Sequence, residues 1–131
     1  MYFFDTNTCI YALKGLYDLR TKILGFRPDE ITIPSIVKAE LLYGAKKSNH
    51  PKKATSSVSE FLFPFEVFDF NERTSVHYAD IRSSLEKKGT PIGPNDLIIA
   101  AIVRAESGVL VTHNIQEFKR VRNLVIEDWV G

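Results

Sequence analysis

Cysteine is almost missing from this chain, since Cys9 is the only one among 131 residues. A single cysteine excludes an internal disulfide bond and a zinc site built from cysteines. No apolar run approaches the ~20 residues that span a bilayer, and the N-terminus lacks the basic start of a signal peptide. We therefore expect a cytoplasmic protein that does not bind membranes.

Net charge is also scarce, because the formal charge is only +1 at pH 7. This balance excludes a global attraction to nucleic acid, so any nucleic-acid binding must come from local basic clusters. Taken one at a time, each cluster is what an ordinary solvated surface carries. The candidate clusters are Lys46-Lys47 with Lys52-Lys53, Lys87-Lys88, and Lys119-Arg120 with Arg122.

The apolar pattern that is present predicts an α/β fold. Hydrophobic residues make up 44% of the chain and charged residues 25%, as in ordinary globular proteins. The length suits one domain with one core, and no repeat or long linker divides it. Strands alternate with helices, which indicates a mostly parallel sheet covered on both faces. Strands are predicted at 2–4, 31–33, 65–70, 109–112 and 124–126, and helices around 8–14, 17–25, 35–47, 53–61, 71–89, 94–107 and 116–120.

Some helices also have predicted ends and faces. Ser35 is a suitable N-cap for the third helix, and Asn71 or Thr74 begins the long fifth helix. The run 97–103 is apolar all round, which predicts a buried helix. The inward face of the fifth helix is predicted to carry Val76, Ala79, Ile81 and Leu85.

Three acidic residues stand at the ends of predicted elements. Asp5 directly follows the first strand, Glu40 lies about one turn into the third helix, and Asp96 lies in the first turn of the buried helix. Open α/β sheets bind ligands at the carboxyl edge of their strands. Taken singly, each acid has a structural explanation, such as a helix cap or a favourable helix dipole.

Taken together, the three acids predict a metal site. Ile36 and Tyr43 share a helix face with Glu40, so this carboxylate is expected to be partly buried. A buried carboxylate is costly unless it is paired, hydrogen-bonded or bound to metal. Carboxylate oxygens suit a hard cation, Mg²⁺ or Mn²⁺.

A fourth polar region follows the buried strand at 109–112. Asn114 offers an amide oxygen and Glu117 a carboxylate, and either can complete the ligand set or orient a water. Separately they are ordinary loop and helix-cap residues. We interpret His50 and His77 as surface or structural residues rather than ligands.

These residues lie in ordered blocks at 4–11, 35–44, 92–100 and 111–121, followed by Glu127-Asp128-Trp129. Together the blocks resemble the PIN-domain nucleases, specifically the VapC-type toxins of bacterial toxin–antitoxin pairs. The resemblance covers essentially the whole chain with the right spacing. It implies a single PIN domain over residues 1–131, a three-layer α/β/α sandwich with a mostly parallel central sheet.

The resemblance also implies roles for the polar residues. Two positions depart from the family pattern: relatives more often carry Asn, Asp or Arg at His113, and many PIN nucleases have Asp at Asn114. Glu117 is therefore the better candidate for the fourth acidic position. The implied catalytic set is Asp5, Glu40, Asp96 and Glu117, of which Asp5, Glu40 and Asp96 bind the metal, with Thr6, Asn7 and Asn114 in support.

The activity implied by the resemblance is that of a Mg²⁺-dependent endoribonuclease, with Mn²⁺ as an alternative cation. Such a toxin would cleave structured RNA, for example a tRNA anticodon loop, and so inhibit translation. Water attacks in place of the ribose 2′-OH, so the expected ends are a 5′-phosphate and a 3′-OH. The implied partners are a cognate VapB-type antitoxin and a second copy of the chain, in a homodimer that forms a higher-order complex with the antitoxin.

Three other functions stay open from the residues. A catalytically degenerate PIN domain would only bind RNA or a partner, and such a protein is expected to lose the core acids that this chain retains. A haloacid-dehalogenase-like phosphatase needs a second Asp two residues after Asp5, where Asn7 stands. A DNA nuclease or general single-strand nuclease would differ only in its substrate.

Overall fold

A central sheet of five parallel strands organises the protein. The structure is a computed structural model that describes residues 1–131. Every strand pair is parallel, and the spatial order is β3-β2-β1-β4-β5. The predicted α/β class with a parallel sheet is therefore confirmed. The strands are β1 (Tyr2–Phe4), β2 (Ile31–Pro34), β3 (Glu66–Phe68), β4 (Val109–Val111) and β5 (Val125–Glu127).

Seven helices surround the sheet, together with one 3₁₀ turn at Pro28–Glu30. All the helices predicted from the sequence are present, with ends that differ by a few residues. None of the seven has the length and apolar character that a bilayer crossing requires. They are α1 (Thr6–Leu13), α2 (Leu19–Leu24), α3 (Ser35–Lys46), α4 (Pro51–Leu62), α5 (Glu72–Lys87), α6 (Pro94–Ala105) and α7 (Ile115–Phe118).

The strand order creates a switch point beside β1. The chain builds outward from β1 through β2 to β3, then returns to pair β4 with the other side of β1. Loops on the two sides of this point diverge, which leaves a crevice at the carboxyl ends of the strands. Asp5 follows β1 directly, so the topology puts this acid at the crevice.

One core joins the central strands to the helices that pack on them, and α6 contributes more buried residues to it than any other helix. Phe3 and Phe4 of β1 are fully buried, and seven residues of α6 are buried, as the all-round apolar run predicted. Gly108 enters β4 against the ring of Phe3, where an added Cβ would lie 2.4 Å from Cε1. Only glycine permits this approach of the backbone to the aromatic ring.

The start of α3 differs from the prediction. Pro34, not Ser35, occupies the N-cap position, and no side chain caps this helix. The reason is that β2 extends through Pro34, which pairs with Phe68 of β3, so Ser35 is already helical.

The buried face of α5 was also predicted incorrectly. Val76 is 67% exposed and Ala79 is exposed as well, whereas Ile81 and Leu85 are buried as expected. Packing against α6 selects the stripe through Thr74, Ile81 and Leu85. The helix begins after Asn71, whose side chain accepts a hydrogen bond from the Thr74 backbone N–H.

Candidate active site

Asp5 lies at the centre of the site, at the carboxyl end of β1, with 4% of its surface exposed. Its Oδ1 accepts the Thr8 backbone N–H at 2.9 Å and therefore caps α1. Its Oδ2 accepts the Thr112 hydroxyl at 2.6 Å. Burial raises the pKa of Asp5; these hydrogen bonds offset part of that rise, and the charge of Glu40 adds to it. Asp5 is thus a helix cap and a site residue at once, held in one orientation.

Glu40 approaches from α3, on the β2 side of Asp5. The Thr6 hydroxyl donates to Glu40 Oε1 at 2.6 Å, which joins the carboxylate to the residue after Asp5. Glu40 is half-buried, as predicted. Ile36 is half-buried beside it, but Tyr43 is 66% exposed, so the tyrosine does not cover the carboxylate.

Asp96 and Glu117 form a hydrogen-bonded carboxyl pair on the β4 side of the site. Glu117 Oε1 accepts the Gly93 backbone N–H at 2.8 Å, and its Oε2 accepts the Asn114 amide at 2.9 Å. Burial and the adjacent Glu117 charge raise the pKa of Asp96 to about 7, with smaller contributions from Asp5 and Glu40.

The proton of this pair belongs on Asp96. Burial acts to raise the pKa of Glu117 as well, but the hydrogen bonds from Gly93, Asn114 and Asp96 outweigh it and lower the pKa overall. Two carboxyl groups in contact cannot both be charged at low cost. The pair therefore holds a proton at a position where a cation could stand instead.

The carboxyl groups of Asp5, Glu40, Asp96 and Glu117 thus interact electrostatically at one edge of the sheet, although they come from four different segments. No three of the His, Cys, Asp or Glu side chains converge closely enough to enclose a metal ion by themselves. A zinc-like closed site is therefore absent. Mg²⁺ needs less, because it binds through one or two carboxylates and keeps several waters. The donor set is all oxygen and strongly negative, so it fits a hard, partly hydrated divalent cation.

The other polar residues considered from the sequence differ in whether they contact the site. Asn114 lies in the site, but its amide supports Glu117. Asn7 is exposed, and its side chain makes no hydrogen bond within the chain. His77 accepts a hydrogen bond from Arg104, in agreement with its structural interpretation, and His50 is exposed.

Thr112 is a site residue that sequence reasoning did not assign. It is fully buried and holds Asp5 through its hydroxyl, which also accepts the Asn114 backbone N–H at 3.0 Å. The available signal was its place at the end of the predicted strand, one residue before His113. A threonine there is too common to point to a site by itself.

An apolar groove of about 340 Å³ opens beside Glu40, between α1, α3 and α4. Its walls are mainly aliphatic, and Glu40 is one of the few charged residues that line it. The lining residues are Ile10, Leu13, Lys14, Glu40, Leu41, Gly44, Ala45, Ser48, Ala54, Ser57 and Val58.

Comparison with known proteins identifies the family. The PIN domain model matches residues 2–124 of the chain. The chain belongs to the PIN-domain family. Its parallel sheet, and acids gathered at the carboxyl edge of that sheet, are the features that the resemblance implied.

Within this family, the sequence relatives are VapC ribonucleases. Ribonuclease VapC2 of Rickettsia felis is 42% identical over 132 residues, which cover 98% of each chain. The tRNA(fMet)-specific endonuclease VapC of Salmonella typhimurium is 38% identical over 125 residues, 95% of each chain.

Solved PIN-domain structures agree with this assignment. The VapBC2 complex of Rickettsia felis bound to a promoter DNA fragment matches with a TM-score of 0.93 and 41% identity over 98% of both chains. The DNA-bound VapBC complex of Salmonella typhimurium matches with a TM-score of 0.93 and 37% identity, over 98% of this chain and 97% of that one. This PIN domain is therefore of the VapC ribonuclease type.

Proposed function

We propose that this PIN-domain protein is a Mg²⁺-dependent endoribonuclease, with Mn²⁺ as an alternative cation, that acts as the toxin of a toxin–antitoxin pair. The observation that carries the proposal is the carboxylate cluster. Asp5, Glu40, Asp96 and Glu117 come from separate segments and interact at the crevice of the sheet, where burial and then the charge of Glu117 raise the pKa of Asp96 to about 7. Such a cluster destabilises the fold unless a cation or a proton neutralises it.

When bound, a divalent cation would acidify the attacking water and neutralise charge that develops on the scissile phosphate. The chain supplies the positions. Asp5 is immobilised by Thr8 and Thr112, so it offers a fixed oxygen at the bottom of the crevice. Asp96 offers a second oxygen once it gives up its proton. Glu40, held by Thr6, binds the cation or orients the water. Attack by water leaves a 5′-phosphate and a 3′-OH.

The substrate that we propose is structured RNA, with the tRNA(fMet) anticodon loop as the first candidate. A relative at 38% identity is named a tRNA(fMet)-specific endonuclease, and unpaired loop bases are the ones that proteins can read in RNA. Exposed Lys119 and Arg120 lie two and three residues after Glu117, and a second group of exposed lysines, Lys46, Lys47, Lys52 and Lys53, lies at the end of α3 and the start of α4. Such side chains hold the phosphate backbone and do not specify sequence.

The partner that we propose is a VapB-type antitoxin whose C-terminal segment crosses the crevice. Glu40 lines the apolar groove, so an aliphatic segment lying in the groove would bring a neighbouring basic side chain to this carboxylate. Matched structures include VapBC complexes. We also propose a homodimer and a higher-order complex with the antitoxin, which light scattering of each purified species would test.

Cleavage of bacterial tRNA by purified protein tests the function directly. The reactions contain Mg²⁺ or EDTA, and the variant Asp96→Asn is compared with Asp80→Asn. Asp80 of α5 is exposed and paired with Arg104 of α6, so it controls for loss of a carboxylate outside the site. We expect a discrete cut with a 5′-phosphate end, lost with EDTA and in Asp96→Asn, and kept in Asp80→Asn.

Three results would contradict the proposal. Cutting that survives both EDTA and Asp96→Asn would exclude metal-dependent hydrolysis at this site. RNA binding without any cutting would favour a binding module, the degenerate PIN domain considered from the sequence. A 2′,3′-cyclic phosphate end would exclude water as the nucleophile.

A further inference from the structure

A hydrogen-bonded histidine–aspartate pair lies at the rim of the site and takes no part in the proposed cation binding. His113 Nδ1 and Asp128 Oδ2 are 2.9 Å apart, and they join the loops that follow β4 and β5. Asp128 is itself held, because its Oδ1 accepts the Val130 backbone N–H at 2.9 Å. The imidazole is 53% exposed, so it is anchored on one side and open to solvent on the other.

The backbone position of His113 puts it next to the catalytic centre. Thr112, the preceding residue, holds Asp5, and Asn114, the following residue, holds Glu117. Consecutive Cα atoms are ~3.8 Å apart. The imidazole is therefore within reach of the nucleotide beside a phosphate that is bound at the carboxylates.

Asp128 determines whether the exposed ring nitrogen of His113, Nε2, donates or accepts a hydrogen bond. Burial acts to raise the pKa of Asp128, but the hydrogen bonds from His113 and Val130 outweigh it and lower the pKa, so Asp128 is a carboxylate and can only accept. His113 Nδ1 must then carry the hydrogen. In the neutral ring, Nε2 is left as an acceptor, and it makes no hydrogen bond within the chain.

We infer that His113 Nε2 accepts a hydrogen bond from the 2′-OH of the ribose next to the scissile phosphate, and that Asp128 is the positioning residue that keeps the acceptor tautomer. The 2′-OH is the only hydroxyl donor along an RNA backbone, and it is the group that distinguishes RNA from DNA. This inference rests on the proposed ribonuclease function and adds to it a residue that selects RNA.

Position-by-position removal of 2′-OH groups tests the inference. The probe is a synthetic RNA hairpin that contains the cleavage site mapped in tRNA, together with a set in which each loop nucleotide in turn is 2′-deoxy. Single-turnover rates are measured for wild type, His113→Ala, Asp128→Ala and the double variant. His50→Ala is the control, because His50 is an exposed histidine that makes no side-chain hydrogen bond.

The expected pattern is specific to one ribose. Wild type and His50→Ala lose roughly three- to tenfold in rate when a single 2′-OH beside the cleavage site is removed, as for one net hydrogen bond. His113→Ala cleaves the all-ribose hairpin more slowly than wild type by a similar factor. Its cleavage rate does not fall further when that one nucleotide is 2′-deoxy. Asp128→Ala shows part of this loss, and the double variant is no slower than His113→Ala, since the two residues act through one contact.

The outcomes separate this inference from the proposed function. Absence of cutting by wild type defeats both. Cutting by wild type, with the full 2′-deoxy sensitivity retained in His113→Ala, overturns the role of His113 and leaves the ribonuclease intact. A uniform loss across all probes with unchanged sensitivity would also overturn it, because it would indicate a phosphate contact. Thermal melts of each variant identify a misfolded protein, and Asp128→Ala then carries the test.

Discussion

Removing one carboxylate of the candidate site should make the metal-free protein more stable. In Asp96→Asn, a neutral amide of the same shape replaces a carboxyl group whose pKa is raised from 3.8 to about 7 by burial and by Glu117. The raised pKa means that the folded state keeps a proton that the unfolded chain releases. Stability is therefore lost as pH rises from about 4 to about 7, and the full penalty is present above pH 7.

The size of the penalty follows from the same pKa values. Each unit by which the pKa of Asp96 rises from 3.8 to about 7 corresponds to about 1.4 kcal/mol, so the charged carboxylate destabilises the fold by at most about 4 kcal/mol. Asp96 is only half-buried, and solvent screening reduces this limit. We expect Asp96→Asn to gain about 1–2 kcal/mol at pH 8, or about 3–8 °C in Tm for a chain of this size.

The assay is urea unfolding in EDTA at pH 8 and at pH 4.5, with Asp80→Asn as the matched control. The Arg104 guanidinium lowers the pKa of Asp80, so that substitution should give no gain at pH 8. The gain of Asp96→Asn should shrink strongly at pH 4.5. Added Mg²⁺ should stabilise wild type by mass action and have much less effect on Asp96→Asn.

The reasoning would be refuted if Asp96→Asn were no more stable than wild type at pH 8 in EDTA. An equal gain at both pH values would also refute it, because the benefit would then come from packing and not from charge. Stabilisation of both proteins by Mg²⁺ to the same extent would argue that the cation binds elsewhere.

Three further predictions concern residues around the site and the core. Thr112→Val removes the buried hydroxyl that donates to Asp5; it should slow single-turnover cleavage at least tenfold and lower the free energy of urea unfolding by about 1–3 kcal/mol. Thr112→Ser keeps the hydroxyl and should keep activity. Gly108→Ala brings a Cβ to 2.4 Å from the Phe3 ring and should lower the free energy of unfolding by about 1–3 kcal/mol. Gly44→Ala is its helical counterpart, because the added Cβ meets no atom within 4 Å, and it should raise the free energy of unfolding by about 0.5–1 kcal/mol. Equal melting temperatures for the two variants would contradict this account. Burial raises the pKa of the Cys9 thiol well above its usual range, so Cys9 should resist a thiol reagent at pH 8 until urea unfolds the protein; rapid labelling of the native protein would show that the core opens there.

Local pattern was enough to predict most of the secondary structure. The run 97–103 has no polar face, so it could only form a buried helix, and the short strands end in turn or acidic residues that mark their carboxyl ends. Predictions failed where packing chooses between locally equal options. Val76 is as apolar as Ile81, but only the stripe that meets α6 is buried. Ser35 is a good N-cap by type, but pairing of Pro34 with β3 carries the strand one residue further.

The sequence alone determined which chemical groups this protein has and roughly where each element begins. It indicated Asp5, Glu40 and Asp96 as candidate site residues because acids near the ends of apolar segments are visible in the order of residues, and the family resemblance added the preference for Glu117. The tertiary structure alone decided which of these groups touch. Thr112 reaches Asp5 across 107 residues, and Thr6 reaches Glu40 across 34. Such contacts depend on the strand order β2-β1-β4, which arises from how the helices pack on the sheet, and no local periodicity records that order.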